Sequence, residues 1–348
     1  MVVGAVLALF AAGYAAGNAG LRIIRLHTGQ RVRIGNVLVI DVSKPKVRTV
    51  TVTRTATTTV AATSTATPTT MPQPTTAPAT TTGPHPQPQG SCGTRVGQQP
   101  LTDQRVVWIL FENKSYGAII GNPDAPYLNS LAAACGVATN YFAVGHNSLP
   151  NYIALTSGGT QGVADNDPPS AHPLAVPSLF SQLGTAWQAK NESMPSNCDL
   201  TDAYPYAVRH NPAAYYTNVR AACSTQDAPR GISADVRFTF VTPNLCDDMH
   251  DCPVAAGDAW LAANLPPLLS SNTYTSGGLT IFITWDEDDY SASNHVPALV
   301  ISPSTPSGTR SASTFDHYSL LATTESLLGL PCLGAACSAT SMRSDFGL

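Results

Sequence analysis

The stretch VVWILFEN, residues 106–113, decides the fold class. Its first six residues are all apolar, which predicts a strand buried on both faces, because a half-exposed strand would alternate with polar residues. Further strands are predicted at VRFTFVT (236–242), LTIFITW (279–285) and PALVIS (297–302). Buried strands of this kind are typical of an α/β domain with a mostly parallel central sheet and helices on both faces.

Helical segments alternate with these strands. PYLNSLAAAC (126–135) has Pro at its first turn and Gly136 beyond its end, and residues 150–157 end at Gly158 and Gly159. Residues 178–190 predict a longer helix. Residues 316–330 predict a helix capped by Asp316 and ended by Pro331. The alternation predicts one folded domain over residues 92–348.

The first quarter of the chain has a different composition. Residues 1–21 form an apolar segment, about long enough to cross a bilayer, and predict a signal peptide or an anchor. Residues 22–54 are basic and include a possible short strand at 34–42. Residues 55–91 are mostly Thr, Pro and Ala, a composition that cannot bury a core, so we predict a disordered linker. These segments predict that the domain lies outside the cytoplasm, associated with a membrane or cell wall.

Charge and cysteine content narrow the function classes. The net charge of −4 offers no basic footprint for nucleic acid. The eight cysteines include no CxxC pair, and their even number favours disulfides in an oxidising compartment. Pairing close neighbours in the chain predicts the bridges Cys246–Cys252, Cys332–Cys337 and Cys198–Cys223, which leaves Cys92 to pair with Cys135.

Polar side chains gather where the predicted strands end. They are Glu112 and Asn113 after the first strand, Asp247, Asp248 and His250 after the second, and Asp286, Glu287, Asp288 and Asp289 after the third. Ligands of open α/β sheets bind at the carboxyl ends of the strands. Carboxylates collected there repel one another unless a cation joins them. We therefore predict a divalent metal ion, with Mg, Ca or Mn favoured by oxygen ligands and Zn permitted by the histidines.

Three further residues have candidate roles. Ser148, in GHNSLPNY, lies just before Pro150 at a predicted helix start, where free amides and the helix dipole favour a phosphate. An ordinary helix cap is the other interpretation of that serine. His146 is a candidate for proton transfer, and His210 follows Arg209, a candidate phosphate ligand.

Taken together, these motifs resemble the phosphoesterase family of secreted acid phosphatases and non-specific phospholipases C, within the alkaline phosphatase superfamily. The matching segments, all in the expected order, are VVWILFENKSY, GHNSLPNYIALTSG, SMPSNC, YAVRHNP, FVTPNLCDDMHDC, TWDEDD and FDHYSLLATTESLLGLP. They cover residues 106–331. The resemblance implies an alkaline-phosphatase-like fold.

The resemblance also implies residue roles. Ser148 takes the place of the nucleophile, and His146, His210 and His250 that of catalytic histidines. The implied metal ligands are Glu112, Asn113, Asp248, Asp286, Glu287, Asp288 and His317.

The expected activity is metal-dependent hydrolysis of phosphate monoesters through a phosphoserine. A phospholipase C or phosphoinositide phosphatase that acts on membrane lipids is the alternative within the same class. A surface-tethered binding protein on a degenerate hydrolase scaffold is the alternative from another class.

Overall fold

The computed structural model describes residues 91–98, 101, 103–229 and 231–348, together with four short strands nearer the N-terminus. The chain divides into two compact units, Met1–Pro78 and Ala79–Leu348. Apart from residues 8–9 and 91, the predicted apolar segment 1–21 and the predicted linker 55–91 lie outside the described residues. Among the helices that the structure describes, none has the length and apolar character needed to cross a membrane.

The first unit contains two antiparallel strand pairs. β1 (Ala8–Leu9) pairs with β2 (Arg22–Ile23), and β3 (Arg31–Ile34) pairs with β4 (Leu38–Asp41). The strand predicted at 34–42 thus overlaps the last residue of β3 and the whole of β4, and its other residues lie outside the described ones.

The second unit is built on a seven-stranded sheet. Its strands, with two short flanking ones, are β5 (Arg105–Phe111), β6 (Gly136–Ala138), β7 (Tyr141–Phe142), β8 (Trp187–Asn191), β9 (Phe238–Thr242), β10 (Leu279–Trp285), β11 (Ala298–Ile301), β12 (Arg310–Ser311) and β13 (Phe315–Asp316). The sheet order is β12-β6-β11-β10-β5-β9-β8. The four strands from β10 to β8 are parallel, whereas β11 is antiparallel to both of its neighbours. The prediction of a mostly parallel sheet is confirmed.

Helices connect these strands. They are α1 (Tyr116–Ile119), α2 (Pro126–Ala134), α3 (Ser148–Ser157), α4 (Leu179–Leu183), α5 (Arg220–Gln226), α6 (Val254–Asn264), α7 (Pro266–Leu269), α8 (Asn272–Thr275), α9 (His317–Leu328) and α10 (Arg343–Phe346). Short 3-10 turns occur at Val208–His210, Pro212–Ala214, Thr217–Val219 and Gly334–Cys337. As predicted, Asp316 caps α9, and its side chain accepts the Ser319 amide.

The central strand β5 shows that both faces of the sheet are covered. Trp108 packs towards α9, where its Nε1 donates to Thr324 Oγ1 at 2.9 Å. Phe111, three residues later, meets Trp260 of α6 edge-on. Side chains three apart on a strand point to opposite faces, so α9 and α6 lie on opposite sides of the sheet. This confirms the predicted arrangement of helices.

The helix predicted over residues 178–190 is wrong in its second half. Helix α4 ends at Leu183, and residues from Trp187 form strand β8 at the edge of the sheet. Gly184 ends the helix with a φ of 63°. Trp187 and Ala189 then pair with β9 in parallel register, an interaction between distant residues that local helical periodicity does not report.

Disulfides join the loops as predicted from chain proximity. The bridges are Cys92–Cys135, Cys198–Cys223, Cys246–Cys252 and Cys332–Cys337. The last of these closes a loop that packs against the end of α3. Gly158 ends that helix in a left-handed conformation, and a Cβ there would lie 2.1 Å from the Leu333 carbonyl oxygen. Only glycine fits this approach.

Candidate active site

Backbone hydrogen bonds tie together the strand ends that carry the carboxylates. Phe111 and Trp285 are register partners at the ends of β5 and β10, and the Asp286 amide donates to the Phe111 carbonyl oxygen at 3.1 Å. The Glu112 amide donates to the Asp248 carbonyl oxygen at 2.8 Å. The parallel register therefore brings residues from three distant segments to one edge of the sheet.

Ser148 is the first residue of α3 and faces two of these carboxylates. Its Oγ donates to Glu112 Oε2 at 3.1 Å and lies 3.4 Å from Glu287 Oε1. Tyr152, one helical turn later, donates its hydroxyl to Glu112 Oε1. Ser148 is 2% exposed, so its surroundings are fixed by protein groups. The hydroxyl lies at the positive end of α3, where a phosphate would be favoured.

Asn151 builds the turn that presents Ser148. Its Oδ1 accepts the amides of Val144 and Gly145 at 3.0 and 3.1 Å, and its Nδ2 donates to the Gly145 and Asn147 carbonyl oxygens at 2.8 and 3.1 Å. Asn147 takes a φ of 72°, a left-handed conformation that asparagine tolerates better than most residues. The asparagine of the S-x-P-N pattern is thus a support for the turn.

His210 lies between two buried carboxylates. Its Nε2 is 3.4 Å from Glu112 Oε2, and its Nδ1 is 3.4 Å from Asp248 Oδ2. Ligand atoms of these three buried residues all lie within 4.8 Å of one another. Three buried atoms of this region, His210 Nε2, Asp248 Oδ2 and Asp286 Oδ2, have no hydrogen-bond partner among the described residues. Mixed nitrogen and oxygen donors that are buried and unpaired fit a divalent cation.

Burial and mutual repulsion disfavour the charged form of these carboxylates. Burial raises the pKa of Glu112 well above its usual value, and the charges of Asp286 and Asp248 raise it further. Burial likewise raises the pKa of Asp248 to about 8, and that of Asp286 to about 7 with a further contribution from Glu287. Burial lowers the pKa of His210 well below its usual value. A neutral imidazole is the form that binds metal.

Glu287 connects Ser148 to His146. Its Oε2 lies 2.8 Å from His146 Nδ1, while its Oε1 faces Ser148. Burial raises the pKa of Glu287 to about 7, against hydrogen bonds from Asn147 and Ser148 that lower it. The His146 side chain remains 30% exposed, so it lies where the site meets solvent.

His317 has a different position from the one implied by the family resemblance. Its Nε2 lies 2.7 Å from the Asp286 carbonyl oxygen, and its Nδ1 lies 3.0 Å from the Tyr141 hydroxyl. Both ring nitrogens are therefore occupied, and neither is free for a metal. Burial lowers the pKa of His317 to about 4, which favours the neutral ring. Its contact with the Asp286 carbonyl oxygen stabilises the backbone just after β10.

Asp288 and Asn113 shape the site through hydrogen bonds that involve backbone amides. The Asp288 carboxylate accepts the amides of Tyr290, Ala292 and Asn294, so it organises the loop that follows the cluster. Asn113 has a φ of 52° and donates its amide to Asp286 Oδ1 at 3.2 Å. Asp288 therefore orders the loop that follows it, and the Asn113 backbone amide orients the Asp286 carboxylate.

His250 and Arg209 lie on the side of the cluster next to His210. The rings of His210 and His250 are 5.8 Å apart, and His250 Nδ1 is 2.7 Å from Asp251 Oδ1. Arg209 Nη2 lies 3.5 Å from His250 Nε2. This places a guanidinium beside the carboxylate cluster, where its charge lowers the pKa of Glu112 and Asp248.

Two residues of the site, Lys114 and Tyr152, were not predicted from the sequence. The ammonium of Lys114 donates to the Met249 carbonyl oxygen at 2.7 Å, and burial lowers its pKa against the opposing carboxylates. Tyr152 had a detectable signal, because it lies four positions after Ser148 and therefore on the same helix face. For Lys114 the sequence carries no comparable signal, since its partner is a distant backbone carbonyl.

The model of the Phosphoesterase family matches residues 121–331, a span that contains Ser148, His210, Asp248 and the Asp286 cluster. The chain belongs to the phosphoesterase family. The prediction of a phosphoric ester hydrolase is thereby confirmed.

Several phosphoesterases of known name are similar to this chain. It is 35% identical to the phosphatidylinositol-3-phosphatase of Mycobacterium tuberculosis, over 71% of this chain and 84% of that protein. It is 30% identical to the phosphate-repressible acid phosphatase of Penicillium chrysogenum, over 67% of this chain and 61% of that protein. A solved structure of an alkaline phosphatase superfamily protein from Vibrio parahaemolyticus matches with a TM-score of 0.46 at 12% identity, covering 71% of this chain and 72% of that one.

Proposed function

We propose that this phosphoesterase hydrolyses phosphate monoesters with Ser148 as the nucleophile. The observation that carries the proposal is the position of Ser148 Oγ, at the start of α3 and 3.1 Å from a buried carboxylate of Glu112. A serine that served only as a helix cap would not need two carboxylates at its hydroxyl. The similarity to acid phosphatases supports the choice of monoester.

We further propose that Glu112, His210 and Asp248 hold a divalent cation, with Asp286 beside them. The unpaired buried atoms of His210, Asp248 and Asp286 support this assignment, as does the closeness of the ligand atoms of Glu112, His210 and Asp248. A cation bound there would lower the pKa of the Ser148 hydroxyl and neutralise charge on the phosphoryl oxygens. Glu287 connects this centre to His146.

The reaction divides into two displacements at phosphorus. Ser148 Oγ attacks in line, and its proton passes towards the carboxylates of Glu112 and Glu287, to which it already lies close. The ester oxygen leaves with a proton from His146, which Glu287 orients through Nδ1. Water then attacks the phosphoserine and gives a proton to His146, Ser148 Oγ leaves and takes its proton back from the carboxylates, and inorganic phosphate is released. Arg209 and the amino end of α3 hold the phosphoryl oxygens.

The test is phosphate release from phenyl phosphate by the purified chain, with and without a chelator, beside Ser148→Ala. We expect the substitution to lower kcat by at least about 10³-fold, since the nucleophile is lost. Chelation should also abolish turnover, and added divalent cation should restore it. A matched control is Ser130→Ala on α2, whose hydroxyl donates to the Tyr127 carbonyl oxygen and which should retain full activity. Activity of a folded Ser148→Ala protein near that of the wild type would refute the mechanism.

A second candidate is a phosphoinositide phosphatase. It is favoured by the 35% identity to a phosphatidylinositol-3-phosphatase over 84% of that protein. Vesicles containing phosphatidylinositol 3-phosphate distinguish the possibilities. Inorganic phosphate as the product would establish the lipid phosphatase, whereas diacylglycerol would establish a phospholipase C. The degenerate binding scaffold has no support, because the candidate catalytic groups lie together.

The disulfides support a location for the domain. Four disulfides join the described cysteines, which is typical of proteins in an oxidising compartment. We propose that the catalytic domain begins near Cys92 and acts outside the cytoplasm, with the preceding segments linking it to a membrane or cell wall.

A further inference from the structure

An exposed tyrosine stacks on His146, one of the proposed catalytic residues. Tyr290 is 73% exposed and stacks on His146, with ring centroids 3.9 Å apart and ring planes 15° from parallel. His146 in turn contacts Glu287, which faces Ser148. Tyr290 is therefore three side-chain contacts from the serine, on the solvent side of the site.

The backbone at Tyr290 has an unfavourable conformation that the surrounding structure stabilises. Tyr290 has a φ of 63°, which a bulky side chain rarely adopts. The buried Asp288 carboxylate stabilises that conformation by accepting the Tyr290 amide at 2.8 Å and the Ala292 amide at 2.6 Å. A large exposed ring with a fixed backbone loses little further freedom when a ligand binds it.

One face of the Tyr290 ring is left for a ligand. Among the described residues, His146 is the one ring recorded against it, and the side chain is otherwise largely open to solvent. Aromatic faces pair with planar rings in offset stacks, and they do so with little preference for the identity of the ring.

We propose that Tyr290 is a specificity-determining residue that stacks on an aromatic ring in the leaving group of the substrate. The inference rests on the proposed function, because it places phosphorus at Ser148 and the leaving oxygen near His146. The group attached to that oxygen then extends past His146 to the Tyr290 ring. Aryl phosphates and nucleotides have an aromatic ring in the leaving group, whereas glycerol phosphate has none.

The experiment measures kcat/KM for phenyl phosphate, adenosine 5′-phosphate and glycerol 2-phosphate, with wild type, Tyr290→Ala and Tyr290→Phe. We expect Tyr290→Ala to lower kcat/KM about threefold to tenfold for one or both ring substrates, mainly through KM. The fall for glycerol 2-phosphate should stay below about twofold on the same reasoning. Tyr290→Phe should keep the wild-type preference, since it keeps the ring. Loss with phenyl phosphate alone would assign an aryl group, and loss with the nucleotide alone would assign a nucleobase.

A matched control is Tyr204→Ala, because Tyr204 is 74% exposed on a different loop. It should leave all three rates within about twofold of wild type. Equal losses of Tyr290→Ala on ring and ring-free substrates would overturn the inference, since they would show that Tyr290 only positions His146. Unchanged rates on every substrate would also overturn it. Absence of phosphate release from all three substrates by wild type would instead refute the proposed function, and the inference with it.

Discussion

Replacing Glu325 with glutamine should remove a pH-dependent loss of stability from the domain. Glu325 lies on α9 and is 2% exposed. Among the described residues, no side chain donates a hydrogen bond to its carboxylate. Burial raises its pKa from 4.5 to about 7, against a smaller opposing effect of the Leu333 backbone amide. Between pH 4.5 and about 7, the folded protein therefore keeps a proton on Glu325 that the unfolded chain has already released.

The size of the effect follows from that pKa difference. Because the folded pKa is the higher one, the stability from this group is complete below pH 4.5 and is lost as pH rises through about 7. A difference of roughly 2.5 pKa units corresponds to about 3 kcal/mol. Glutamine stays neutral throughout, and any cost of burying its amide does not vary with pH. The gap in unfolding free energy between Glu325→Gln and wild type should thus change by about 3 kcal/mol between pH 4 and pH 8, in favour of the variant at pH 8.

Urea unfolding with the disulfides intact measures this gap. The buried residues Trp108, Trp187 and Trp285 provide the fluorescence signal. Each protein is unfolded at several pH values in the presence of chelator, so that metal binding does not contribute. Asp235→Asn, at an exposed acid, is the control and should follow the wild-type profile. Parallel profiles for Glu325→Gln and wild type would refute the assignment of a buried, destabilised carboxylate.

Two further predictions concern the turn before α3 and the first disulfide. Asn151→Ala removes four hydrogen bonds around residues 144–147 and should lower both the free energy of unfolding, by about 2–4 kcal/mol, and kcat, by at least about tenfold. Urea unfolding and phenyl phosphate turnover measure the two effects, and normal kcat in the variant would show that the turn does not position Ser148. Replacing Cys92 and Cys135 together by serine opens a bridge between residues 43 apart and should lower stability by about 4 kcal/mol. Thermal unfolding of wild type and the double variant measures this loss, and an unchanged midpoint would contradict the expected constraint.

The sequence alone determined the α/β class and predicted that the site lies at the carboxyl ends of the strands. An uninterrupted apolar run such as Val106–Phe111 indicates a strand buried on both faces, and the polar residues that follow it must lie at a sheet edge. Helix boundaries at Pro126 and Asp316 were also visible, because proline and capping residues act locally. Three disulfide pairs followed from proximity in the chain, and the fourth joins the two cysteines that were left, which are 43 residues apart. The strand and helix-boundary signals depend on neighbours within a few residues.

Only the tertiary structure decided which residues meet. It placed His210 between Glu112 and Asp248, turned residues 187–191 into an edge strand, and directed His317 to a backbone carbonyl. It also stacked Tyr290 on His146. The physical reason is that local periodicity reports whether a residue is buried, whereas its partner is selected by the packing of segments far apart in the chain.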